Sequence, residues 1–117
     1  MDDISLDGHG NIMMTGTVRG ATFQLGSIML VNAGIGGDIY LAKVSAGGNI
    51  LWMQGAGSAY DEVSFSVTND AAGNSYICGL YSSSSIMFGT TTLTNPTMGK
   101  GSLFLTKYTP SGGVAWA

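Results

Sequence analysis

Few side chains among these 117 residues could take part in a reaction, and most of them come in pairs. His9 is the sole histidine; acid–base work would need a nucleophile or carboxylate converging on it. Its counterpart later in the chain is Ala72, so it reads as an exposed turn residue. Asp7 with Asn11, and Asp70 with Asn74, offer the oxygens that hard cations take. No denser Asp-x-Asp-x-Asp series surrounds them. The favoured reading is structural: each Asp accepts N–H groups of its own turn, with Gly10 and Gly73 completing the bend. Asp2/Asp3 and Asp61/Glu62 are adjacent acids. Glycosidase carboxylates must share a cleft at set separations, which strand neighbours do not do, so solvated sheet ends are expected there.

Other candidates fare similarly. Gly34-Ile35-Gly36-Gly37 has the glycines of a phosphate cradle, yet no helix follows to supply its N-terminal dipole. Trp52 and Trp116 could stack on a sugar ring; their equivalent positions on hairpin strands favour packing between sheets. Cys78 is the only cysteine. It excludes an internal disulfide and a thiolate zinc site, and reads as a small, packed strand residue. Lys43 and Lys107 end strands, placed to snorkel or to pair across the sheet. No catalytic residue, no metal and no cofactor is expected.

The elements that position these residues occur twice. Asp7-Gly8-His9-Gly10-Asn11 feeds a strand ending at Gly16, and Asp70-Ala71-Ala72-Gly73-Asn74 feeds one ending at Gly79. The period is roughly 63 residues, comparable to propeller repeats though longer. In the first pass Ile4–Asp7, Ile12–Val18, Asp38–Val44 and Asn49–Met53 alternate or carry strong β formers. Thr22–Leu25 and Ser27–Val31 make a further hairpin. Ala33–Gly37 reads as a flexible loop, and Gly55–Ala59 as a linker. The second pass repeats this order through Val63–Thr68, Ser75–Tyr81, Ile86–Phe88, Leu93–Asn95, Leu103–Tyr108 and Val114–Trp116, with one extra residue in the glycine loop after Asn95. Helical periodicity is absent beyond a turn. The class is all-β, in two units, 1–60 and 61–117.

Composition sets the outer bounds. Hydrophobic residues make up 44% and charged residues only 9%, far below the quarter usual for soluble chains. Nineteen glycines against two prolines suit short strands joined by tight turns. A net charge of −3 with only Arg19, Lys43, Lys100 and Lys107 as cations argues against nucleic acid or an anionic membrane as partner. No apolar run approaches the roughly 20 residues of a spanning helix, and Met1-Asp2-Asp3 lacks the start of a secretory signal.

Taken in order, the Asp-x-x-Gly-Asn turn, the strand ending Thr-Gly or Cys-Gly, the Phe-Gly hairpin, the strand ending Lys-Val or Lys-Tyr, the Gly-Gly hairpin and the Trp resemble the SBBP-type β-propeller repeat of large secreted bacterial proteins. Asp7, Gly10, Asn11, Gly16, Lys43 and Trp52, with Asp70, Gly73, Asn74, Gly79, Lys107 and Trp116, carry the likeness. It implies two four-stranded antiparallel propeller blades, with residues 23–32 an added hairpin, in a secreted or cell-surface protein. Two blades leave outer faces and edges open. A ring then needs three or four copies of the chain, or further blades of a longer parent. The first unit lacks counterparts of Asp61–Val63 and the second stops just after Trp116, which favours a piece of a larger propeller without excluding a ring of separate copies. The expected role is a noncatalytic scaffold or binding platform, touching a protein or glycan through Gly34–Asp38 and Met98–Gly101. A lectin-like oligomer binding sugar on Trp52 or Trp116 is the alternative. An enzyme whose site needs further blades has no residue here to support it.

Overall fold

The computed structural model describes residues 2–32, 34–97 and 100–117. Among them twelve strands form and no helix does. Strands β1 (Asp3–Leu6), β2 (Ile12–Val18), β5 (Asp38–Val44) and β6 (Ile50–Ala56) make one antiparallel sheet in the order β1-β2-β5-β6. Strands β7 (Glu62–Asn69), β8 (Ser75–Tyr81), β11 (Ser102–Tyr108) and β12 (Val114–Trp116) make a second with the same order, β7-β8-β11-β12. Two small hairpins, β3 (Thr22–Leu25) with β4 (Ile28–Val31) and β9 (Ser85–Phe88) with β10 (Thr91–Thr94), interrupt each sheet between its second and third strands.

Local sequence explains these elements. The strands are rich in Ile, Val, Thr and aromatics, which fit a pleated, half-buried surface. The turns between β1 and β2, and between β7 and β8, reverse at Gly10 (φ 85°) and Gly73 (φ 87°), a left-handed conformation that costs glycine nothing. Both sheets carry a register shift at the same place, between Lys43 and Val44 in one and Lys107 and Tyr108 in the other. Two features depart from the sequence reading. Strand β6 continues through Gly55 and Ala56, which pair with Tyr40 and Ile39, so the linker begins later than Gly55. The loop around Gly34–Gly37 is tied down rather than free, because Asn32 accepts from the Gly34 N–H and donates to the Gly36 carbonyl.

Side chains alternate between the two faces of each sheet, and both faces are apolar. One face of the first sheet, with Met13, Ile39 and Leu41, packs on the face of the second that carries Val67, Ile77, Phe104 and Tyr108; hairpin residues Ile86 and Phe88 complete this core. The first sheet's other face gathers Tyr40, Ala42 and Met53 under its own hairpin, through Phe23, Leu25 and Leu30. Strand β7 runs beside β1 at the junction. There the Asp3 carboxylate accepts from Ser66 Oγ (2.8 Å) and from the Val67 N–H (2.9 Å), beside the register shift between Ser64 and Ser66. A buried branched side chain at this junction holds both sheets at once. Leu41→Ala therefore lowers the unfolding free energy by about 2–5 kcal/mol, read from denaturant unfolding at constant m-value.

Candidate functional site

The most specific constellation in the molecule lies where the first sheet meets the turn between β11 and β12. Cross-strand pairing places Lys43 opposite Trp52, so both side chains leave the same face near the end of β5. Both reach one acceptor: the Pro110 carbonyl takes the Trp52 Nε1–H at 3.0 Å and Lys43 Nζ at 3.1 Å. The indole stacks on Tyr108, with centroids 6.4 Å apart and planes 21° from parallel. Its six-membered ring lies over Gly112 (φ 94°), where a Cβ would stand 2.9 Å from Trp52 Cδ2. Glycine is needed there for backbone and for space. Lys43 also lies 3.7 Å from the buried Asp7 carboxylate.

The second sheet repeats the pair without the seat. Lys107 stands opposite Trp116, but its ammonium lies over the Tyr76 ring, 5.5 Å from the centroid. Tyr76 meets Trp116 at 6.1 Å, and its hydroxyl donates to Asp70 Oδ2. The two tryptophans are thus not brought together. Trp52 sits in the joint, and Trp116 stands exposed on the far face of the second sheet.

The turn aspartates spend their oxygens locally. Asp7 Oδ1 accepts from the His9 and Asn11 N–H groups, and Oδ2 from Asn11 Nδ2, at 2.8–2.9 Å. Asp70 does the same with Ala72 and Asn74 at 2.9–3.0 Å. Burial works to raise the Asp7 carboxyl, yet the Asn11 amide, the two N–H groups and Lys43 together hold it below the usual range. Asn74 first among its donors lowers Asp70 likewise. His9 lies exposed in its turn. Among the described residues no three His, Cys, Asp or Glu side chains gather as a metal site would need, and no helix is long and apolar enough to cross a membrane.

The adjacent acids behave differently from one another. Asp61 is exposed, paired with Arg19 at 2.6 Å and accepting the Gly37 N–H at 2.9 Å. Glu62 is fully buried, which corrects the expectation of a solvated sheet end. It accepts from the Ser58 N–H and from the Ser83 hydroxyl, and burial pushes its carboxyl up despite those bonds. The alternation Glu62-Val63-Ser64 places Glu62 on the face of Ser64, and the serine run at 82–85 supplies the donor; neither signal says that this edge is covered. Between Asp38 on β5, Gly55–Gly57 and Met87 of the second hairpin lies a cleft of about 400 Å³ with Gln54 at its rim. Of the loops expected to carry a ligand, Gly34–Asp38 lies against the linker at Ser58–Tyr60 and the start of β7, where the Gly37 carbonyl accepts the Glu62 N–H. In the loop Met98–Gly101, Met98 and Gly99 lie outside the described residues.

No family model matches the sequence, and no curated protein matches it. The joint itself is the candidate site, and its chemistry is recognition of one sheet by the next.

Two outcomes follow from this geometry. Trp52→Phe loses the donor to Pro110 and part of the ring that covers Gly112, so it costs about 0.5–3 kcal/mol of stability, measured by urea unfolding. The lowered carboxyls of Asp7 and Asp70 give stability that is complete above the unfolded value near 3.8 and is lost as pH falls through their folded values. Melting temperature should therefore drop below about pH 4, and Asp7→Asn should flatten that drop.

Proposed function

We propose that this chain is a noncatalytic repeat module, a scaffold or binding platform built by stacking like sheet on like sheet. The observation that carries the reading is the joint at Pro110. A Lys–Trp cross-strand pair in one sheet closes on the hairpin turn of the next, and the same pair and the same turn recur in the other sheet. A four-stranded antiparallel sheet that buries one face on the next such sheet supports a blade-like reading. The SBBP-type resemblance adds secretion or display at a cell surface. The partners in this reading are copies of the chain or further blades of a longer parent.

A sugar-binding reading has one observation in its favour, the exposed Trp116 beside Tyr76. Trp52, by contrast, has its ring face and its N–H committed to the joint. Stacking of sheets is therefore the better account of both residues.

The reading is tested by the solution mass and apolar-dye binding of the purified chain. Either an assembly or a monomer that binds the dye strongly is the expected result, because an unpaired module leaves a sheet face open. A monomer with no dye-binding surface overturns the reading.

A further inference from the structure

The second sheet meets the first with one face only. Its other face carries Leu103, Leu105 and Trp116, which are 78%, 50% and 44% exposed. Their counterparts in the first sheet make the joint: Ile39 and Leu41 are each 1% exposed, and Trp52 packs beside them. The complementary face of the first sheet has Tyr40 and Ala42 under its own hairpin but is open along β1. Val67, inside the junction, is 4% exposed, whereas Ile4, its counterpart on the first sheet, is 54% exposed. The seat for the indole follows suit. Gly112 is covered by Trp52, while Gly48, in the matching turn with φ 89°, would meet nothing within 4 Å of an added Cβ. The molecule holds one finished joint, an open face on the second sheet, and on the first sheet an uncovered β1 side and an empty turn that match it.

We infer that a second copy of this chain docks head to tail, its first sheet covering the Leu103/Leu105/Trp116 face of the first copy. Trp116 then lies on the partner copy's turn at Ala46–Gly48, its Nε1–H and the Lys107 ammonium both donating to the Ala46 carbonyl. This is the bonding that Trp52 and Lys43 make to Pro110 within the chain. The inference rests on the module reading above and supplies its partner and contact residues. Charge is compatible: Asp70 stands near Lys107 as Asp7 stands near Lys43, with Tyr76 between them. The contact joins two different patches, so it is heterologous, and it either closes a ring or runs on as an open stack.

The test uses two variants of the whole chain, each carrying a charge on one exposed half-joint: Leu105→Glu and Ile4→Glu. Circular dichroism and melting curves confirm that both fold, with Leu103→Glu as the substitute should Leu105→Glu fail. The wild-type chain should sediment as an assembly, each variant alone as a monomer, and an equimolar mixture as a one-to-one dimer, because each variant keeps the half the other has lost. A wild-type assembly whose mass neither variant changes overturns this joint and leaves the module reading standing. So does a wild-type monomer that binds apolar dye. Variants that stay monomeric when mixed also overturn it.

Discussion

The rest of this molecule depends on the fact that each four-stranded sheet of this sequence carries apolar side chains on both faces. Alternation puts Met13, Ile39 and Leu41 on one side of the first sheet and Tyr40 and Ala42 on the other, and all five are buried. Burying one such aliphatic or aromatic side chain contributes about 1.5–3 kcal/mol, and none of it is available to a sheet left alone in water. The first sheet solves the problem twice, with its neighbour on one side and its own hairpin on the other. The second sheet solves it on one side. The small hairpins are therefore structural lids as much as connections: Phe88 packs on Phe104 at 5.0 Å as Phe23 packs on Tyr40 at 4.8 Å.

Apolar contact alone would leave the sheets free to slide, and the polar groups at the junction remove that freedom. Pro110 offers a carbonyl that two donors from the other sheet reach at once. Asp3 grips the backbone of β7 beside its register shift, where an N–H would otherwise lack a ladder partner. Asn69 Nδ2 adds a bond to Ser5 Oγ at 3.2 Å. Arg19 and Asp61 are more than half exposed, so their pair is worth little by itself, but Asp61 also takes the Gly37 N–H and so anchors the loop to the linker. These bonds are directional, and the hydrophobic effect is not; together they turn an adhesive face into one with a fixed register.

The same economy of polar groups governs the acids and hydroxyls of the two sheets. The carboxylates of Asp7 and Asp70 are saturated by their own turns. Glu62 is enclosed with a serine hydroxyl and a backbone N–H, a buried acid that braces the start of β7 rather than facing a cleft. Thr15 on β2 and Thr106 on β11 give their hydroxyls to backbone carbonyls, of Tyr40 and Trp116. Such groups hold the sheet together.

Much of this was legible in the one-dimensional pattern. Period-2 alternation and paired glycine turns define the strands and their order, because backbone geometry ties side-chain direction to sequence position. The Asp-x-x-Gly-Asn turns could be read from sequence, since the backbone and Asn donors of each turn lie within four residues of the acid. The burial of Glu62 and the tethering of the Gly34–Gly37 loop could not. The first depends on distant Ser83, and the second adds to the local Asn32 bonds a distant one, from the Gly37 N–H to Asp61. The tryptophans show the division most plainly. Sequence alone made Trp52 and Trp116 equivalents; the fold gave one a seat against Gly112 and left the other without. Local pattern determines which face a side chain takes, but only the packing of whole sheets decides whether anything covers it.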